Sequence, residues 1–279
     1  MVEASKSKYT ASTFVVLALL TLGSFIMIIP FIWMFLTAFK TYQETLAIPI
    51  KWVPGSFYLE NFTEVIGRLN FARYYMNTIF VTASITLVQL IFCSMGAYAF
   101  ARINFPGRNI IFFALLSMLM IHQQMTLIPS FVLLSRLGWI NTYSALIIPN
   151  FFSSFGTFFL RQFFMTLPKE LEESAIIDGA SHPRIYAQIF LPLCTSALAA
   201  FAIFTVLWAW NDLMWPLIMT SSDSIRVLSV GIASLMGQYR TRNNWLMAAS
   251  VLATTPMIVL FIICQKQFIS GIAVTGIKG

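Results

Sequence analysis

The sequence predicts an all-α membrane protein with six transmembrane helices, and three observations predict it. Of its 279 residues, 58% are hydrophobic and only 10% charged, where soluble domains average about 45 to 50% apolar and 25% charged. Six apolar runs each approach the roughly 20 residues that cross a bilayer. Between the fourth and fifth runs lies a polar segment, about 164 to 193, whose apolar residues recur every four positions and so read as short amphipathic helices.

The first run, 13 to 38, exceeds the 7 to 15 residues of a signal-peptide core and lacks an A-x-A cleavage site, so it reads as a retained anchor. The connection from 39 to 75 is long and holds Pro49, Pro54, Gly55 and an amphipathic stretch at 61 to 70, enough for a small external cap. The second span is placed near 76 to 101 and the third near 109 to 134. His122, Gln123, Gln124 and Thr126 fall close to the centre of the third, where unpaired amides are costly, so they either line a wet cavity or join two helices. The fourth span, 143 to 163, carries Pro149, Asn150 and Gly156 and reads as broken or tilted. In the fifth, 194 to 219, Trp208, Asn211, Asp212 and Trp215 stand at i, i+3, i+4 and i+7, which on a continuous helix gives one face of two indoles and two hydrogen-bonding groups. Such a face suits a polyol, with rings for stacking and polar groups for hydroxyls; alternatively the tryptophans belong to an interfacial belt and the polar pair bonds to neighbouring helices. The sixth span lies near 245 to 268, and 220 to 244 is a second external surface. Pro129, Pro149 and Pro216 are expected to kink their spans and open a cavity.

Within the polar loop, Pro168 suits a first helical turn, and Glu170, Glu172 and Glu173 follow where carboxylates favour the positive end of a helix. Leu167, Leu171, Ala175 and Gly179 recur every four residues and define an apolar face that tapers to small side chains. Gly179 can end this helix, and Ser181 can cap a second one running toward Leu191 and Pro192. An exposed apolar face with small residues and acidic flanks is what docking into a partner's groove requires.

Six spans place both termini on one side together with this loop. Counting basic residues does not orient the bundle, since nine fall on that side and eight on the other. The short turn from Arg102 to Arg108, with two arginines and no acid, together with Lys6 and Lys8, places that side in the cytoplasm. Trp52, Trp139, Trp215 and Trp245 fall on or near the opposite face, as an aromatic belt would.

Several functions are excluded. The net charge of +7 raises nucleic acid as a partner, but the 17 basic residues are scattered over loops rather than gathered in a stripe. Cys93, Cys194 and Cys264 stand singly, and His122 and His182 are far apart, so no metal set, disulfide pattern or catalytic constellation is legible. No G-x-x-x-x-G-K-S/T phosphate loop occurs, so the chain is expected to be no ATPase and no enzyme.

The layout Glu173-Ser174-Ala175, three residues, Gly179, nine residues, Ile189-Phe190-Leu191-Pro192 resembles the EAA loop of the membrane subunits of bacterial ABC importers, written E-A-A-x3-G-x9-I-x-L-P, with Ser174 in place of an alanine. Trp208 to Leu217 is similar to the W-N-D-x-x-x-P-L stretch of carbohydrate-type permeases, Phe155 to Phe164 looks like the segment before their loop, and Gly271 to Gly279 resembles the tail of the maltose-type second permease, with Thr275-Gly276-Ile277 departing from it. The resemblance implies the type I ABC importer fold, with residues 1–75 as a cytoplasmic tail, first transmembrane helix and external loop, and 76–279 as a five-helix permease core with the loop at 165–192. It further implies that Glu173, Ser174, Ala175, Asp178, Gly179, Ile189, Leu191 and Pro192 couple to ATPase subunits, while Gln123, Gln124, Trp208, Asn211, Asp212 and Trp215 are candidates for a sugar pathway. The expected partners are a second homologous permease, two nucleotide-binding subunits that hold ATP and magnesium, an extracellular sugar-binding protein, the sugar and membrane lipid. The chain itself is expected to carry no cofactor and no metal, and to lie in the bacterial plasma membrane as a multi-pass protein with both termini cytoplasmic. The alternative is a secondary transporter driven by an ion gradient, which calls for intramembrane acid or base relays and repeated halves; Asp212 is the only acid in the six runs.

Overall fold

A computed structural model describes residues 11–236 and 241–276, most of them in helices and none in a strand. α1 (Ala11–Ala38) is a single apolar helix of 28 residues, about 42 Å at 1.5 Å per residue and long enough for a bilayer core of about 30 Å. α2 (Tyr42–Thr45) opens on a capping box in which the Thr41 hydroxyl accepts from the Glu44 N–H and the Glu44 carboxylate accepts from the Thr41 N–H. α3 (Glu60–Arg68) realises the amphipathic stretch expected in the connection from 39 to 75.

α4 (Phe71–Arg102) runs 32 residues and is polar along its buried face, where Asn77, Thr78, Thr82, Thr86, Gln89 and Ser94 point inward, and apolar outside, where Phe80, Leu87 and Ile91 are exposed. α5 (Arg108–Ser117) and a 3₁₀ turn (Met118–Met120) are followed by a 99° bend into α6 (Gln123–Arg136). The third predicted span is therefore not straight; it turns at Ile121 and His122, where the helical hydrogen bonds stop. α7 (Tyr143–Ile147) and its 3₁₀ turn meet α8 (Ser154–Thr166) at a 40° bend, so the fourth span is broken as its composition predicts. Ser153 starts α8 by accepting from the Gly156 N–H.

α9 (Glu170–Ile177) and α10 (His182–Ile185) form the polar loop; a π-helical turn (Tyr186–Phe190) and α11 (Leu191–Leu193) continue α10. An 80° bend at Cys194 leads into α12 (Thr195–Asn211). That helix ends before Asp212, whose extended backbone separates it from α13 (Met214–Met219). Trp208, Asn211, Asp212 and Trp215 thus do not share one face of a continuous helix, because Asp212 stops one helix and accepts from the Trp215 N–H at the start of the next. α14 (Leu228–Ala233) and α15 (Asn243–Gly276) complete the chain. Lys6, Lys8 and Arg240, and the last three residues of the C-terminal motif, lie outside the described residues.

The chain divides into two compact units. In the one that holds α1 to α3 and Leu235–Thr254, the wholly buried Asn61 amide donates to the carbonyls of Ala38 and Lys40 at 2.8 Å and accepts from Asn244 at 2.7 Å. Arg68 and Arg242 both stack on the Trp245 ring, and Lys40 lies 3.9 Å from the Trp33 ring centroid. In the other unit, from Leu69 to Ser234 and on from Thr255, α8 and α12 pack against α4. One apolar cluster joins Cys93, Tyr98, Leu160, Phe164, Phe190 and Phe201, and a second joins Val81, Ile85, Leu146, Trp215 and Met219. Trp215 is 5% exposed and its indole N–H donates to the Ala145 carbonyl at 3.0 Å, which corrects its assignment to an interfacial belt.

Candidate functional site

Two features are candidates for function: the α9 to α11 loop and a cavity walled by α6 and α12. α9 starts with Lys169, whose carbonyl accepts from the N–H groups of Glu172 and Glu173. Three carboxylates in its first turn oppose the positive helix end. At its other end the Ala180 N–H reaches the Ala175 carbonyl and the Gly179 N–H reaches the Ile176 carbonyl, both within 3.0 Å. This is a Schellman closure, and it needs the left-handed φ of +77° that Gly179 adopts. Ser181 occupies the cap position of α10 but makes no side-chain cap bond, so the expected capping contact is absent and Pro183 in the first turn starts that helix instead.

The face that α9 exposes differs from the predicted one. Leu167 and Ala175 pack on the apolar cluster, but Leu171 is partly exposed, and the apolar side chains that project outward are Ile176 and Ile177, the latter 86% exposed. The cause is Glu172, which turns inward until it is 9% exposed and places Oε2 3.8 Å from Nη1 of the buried Arg102. Drawing that carboxylate inward rotates its helical neighbours out. Glu173, Ser174, Asp178 and Gly179 are accordingly exposed, Ile189 packs beneath the loop, and Leu191 and Pro192 sit at its exit toward the bend at Cys194.

The cavity has two lobes, of about 540 Å³ and 470 Å³, that share Gln123, Trp208 and Trp215 in their walls. All six residues proposed from sequence for a sugar pathway line the second lobe, together with His122. The bends bring them together: α6 begins at Gln123 and α12 ends at Asn211, so two helix ends converge where straight spans would have kept these groups on separate faces. The Gln123 and Gln124 side chains make no bond to another helix among the described residues, which favours their lining a wet space. Asn211 donates to the Leu207 carbonyl of its own helix at 2.7 Å. Trp208 is 40% exposed and offers a ring face, whereas Trp215 is held by packing.

The first lobe adds groups the sequence reading did not select. Gln89 donates to the Asn150 carbonyl at 2.7 Å and accepts from Thr205 at 3.3 Å, tying α4, the turn before α8 and α12 into one polar wall beside Phe155 and Phe204. Its sequence signal is a single amide in the second apolar run, unreadable without knowing which helices meet it. A space of this size, lined by rings and amides, is suited to a small polar ligand.

The sequence profile of the family described as binding-protein-dependent transport system inner membrane component matches residues 3–274. Among relatives, the arabinooligosaccharides transport system permease protein AraQ of Halalkalibacterium halodurans is 35% identical over 94% of this chain and 96% of its own length. The sn-glycerol-3-phosphate transport system permease protein UgpE of Escherichia coli is 32% identical over 91% of this chain and 93% of its own. A chain from the crystal structure of a bacterial ABC transporter involved in the import of the acidic polysaccharide alginate superposes with a TM-score of 0.79 at 21% identity, covering 96% of this chain and all of that one. A second structure, the alginate transporter in complex with pentasaccharide-bound periplasmic protein, gives 0.67 at 17% identity, over 89% and 92% of the two chains. The fold is that of a type I ABC importer permease.

Proposed function

Because the chain belongs to the family of binding-protein-dependent transport system inner membrane components, we propose that it is a membrane-spanning subunit of an ATP-driven importer that passes a carbohydrate inward. The single observation that carries this reading is the α9 to α11 loop, closed by Gly179 and presenting Glu173, Ser174, Ile176 and Ile177 outward, at the spacing of the coupling loop. The chain acts as a lever. Closure of two partner ATPases around bound ATP and magnesium draws the docked loop inward, and the attached helices tilt to reopen the cavity outward. Hydrolysis reverses the movement. Both termini and the loop lie in the cytoplasm, a second permease completes the pathway, and an external binding protein delivers the sugar; the short turn from Arg102 to Arg108, with two arginines and no acid, supports this orientation. Catalysis of ATP hydrolysis belongs to the partners, since the chain has no phosphate-loop sequence.

The relatives named for arabinooligosaccharides and the mix of rings and amides in the cavity support a sugar as cargo. Trp208→Ala and Asn211→Ala should each lower uptake about tenfold, equivalent to about 1.4 kcal/mol, with the complex still assembled. Uptake of labelled sugar into vesicles measures this, and unchanged uptake in both variants removes the cavity from the pathway. The ion-gradient alternative finds no support among the relatives; vesicle uptake should be lost on ATP depletion, and uptake that survives it would contradict an ATP-driven importer.

A further inference from the structure

Adjacent glutamates on α9 are turned about 100° apart around the helix axis, so one can face inward while the next faces out. Glu173 is exposed, and Glu172 turns toward the buried Arg102 on one side and the half-exposed His182 on the other. Arg102 ends α4 with its side chain 5% exposed. Its Nη2 donates to the carbonyls of Phe164 and Leu167, at 2.6 Å and 2.5 Å, which are among those left unpaired where α8 stops. Its Nη1 faces Glu172 and its guanidinium lies 4.9 Å from the Phe190 ring centroid in the π turn. From the other side, His182 Nδ1 stands 3.9 Å from Glu172 Oε1 and 3.2 Å from the Tyr98 hydroxyl. Tyr98 in turn packs edge-on against Phe190, and the hydroxyls of Tyr186 and Ser94 are 2.6 Å apart.

We propose that Glu172, Arg102, His182 and Tyr98 form the joint through which motion of the loop reaches the transmembrane helices, with Glu172 as a positioning residue for transport and Glu173 as the one that meets the ATPase. The inference rests on the importer reading. A push on α9 has to pass into α4 and α8, and this cluster is where one carboxylate is held by groups from both sides of the loop's base. Close packing at Ala175 already transmits a push, and an ion pair whose arginine is fixed by two carbonyl acceptors adds a directional link, since displacement separates charge in a site with little water.

The test uses the assembled complex in vesicles and reads three quantities: ATPase subunits copurified, ATP hydrolysed and sugar imported. Glu172→Gln keeps the shape and removes the charge. It should leave copurification unchanged and ATP hydrolysis within twofold while raising the ATP spent per sugar at least fivefold. Glu173→Gln should instead reduce copurification. A Glu172→Gln complex with an unchanged ATP-to-sugar ratio, or one that loses its ATPase subunits as the Glu173 variant does, overturns the joint. Tyr98→Phe, which removes one hydroxyl and keeps the ring, should raise the ratio at least twofold and provides the same decision if Glu172→Gln fails to reach the membrane. A purified wild-type chain that brings no ATPase with it contradicts the importer reading itself, whereas failure confined to the variants contradicts only the joint.

Discussion

Gly179→Asp and Glu173→Lys should each leave the chain in the membrane and reduce ATP-driven uptake by more than tenfold. The expectation for Gly179 follows from two facts that pull apart stability and coupling. Its φ of +77° is costly for a residue with a side chain, about 1 to 2 kcal/mol, but aspartate and asparagine tolerate this region better than most. A Cβ at this position meets nothing within 4 Å, so the chain itself has room for it. Any large loss must therefore come from a surface that approaches from outside. Gly179→Asn serves as the control for charge: it keeps the left-handed turn and adds bulk, and it should also impair uptake if a partner backbone sits close. Glu173→Lys reverses the charge of an exposed side chain that makes no ion pair within the chain among the described residues. Its effect on the folded chain should stay near the roughly 1 kcal/mol that a first-turn carboxylate contributes at a helix start, so a larger loss of uptake reports on association. Vesicle uptake, with membrane content measured by immunoblot, separates the two. Normal uptake by both variants would remove the loop from its assigned role.

Gly156→Val should abolish accumulation of the folded protein. A Cβ on Gly156 would come within 2.1 Å and 2.4 Å of two Phe201 ring atoms, and Phe201 is 1% exposed within the apolar cluster. The ring cannot rotate away without striking its own neighbours. Overpacking of this kind costs about 1 to 3 kcal/mol for ordinary insertions and more where no side chain can yield. The glycine lets α8 and α12 approach closely, the role small residues serve between membrane helices. Gly156→Ala should lower thermal stability measurably, Gly156→Val should remove most of the protein from the membrane fraction, and Phe201→Leu combined with Gly156→Ala should restore part of the loss. Wild-type levels of Gly156→Val would show that the two helices are not held this tightly.

The fold was legible where hydropathy and backbone direction coincide. α1, α4 and α15 are unbroken helices that cover their predicted spans, although α4 begins earlier, at Phe71, and α15 ends later, at Gly276. Turns inside apolar runs were harder to see. The break at Ile121 and His122 contains neither glycine nor proline, and its polar residues face the cavity, so a hydropathy pattern reads straight through it. Asp212 carries two signals: on one helical face it suggests a continuous span, whereas in the structure its extended backbone ends α12 and its carboxylate accepts from the Trp215 N–H in the first turn of α13.

The loop shows the same division. The Gly179 turn follows from local chemistry and appears as expected, whereas α9 begins at Glu170, beyond Pro168, and the second helix forms without the Ser181 cap and with a π turn at Tyr186–Phe190. Which face α9 presents does not follow from local chemistry, because that depends on Arg102, about 70 residues earlier. No local periodicity distinguishes an inward Glu172 from an outward Glu173. Gln89, likewise, becomes part of the cavity wall only through Asn150 and Thr205. The six residues selected for the cargo pathway do meet at one cavity, although by convergence of helix ends rather than along the single face that suggested four of them.

The most direct measurement uses Ile177→Cys, at the most exposed apolar side chain of α9, in a chain whose native Cys93, Cys194 and Cys264 are replaced by serine or alanine. Oxidation of the assembled transporter should yield a disulfide-linked species containing this chain and an ATPase subunit that carries a cysteine at its permease-facing surface, with a yield that changes when ATP binds. Cross-linking that never includes the ATPase, together with labelling of the same cysteine by lipid-soluble but not water-soluble reagents, would contradict the account.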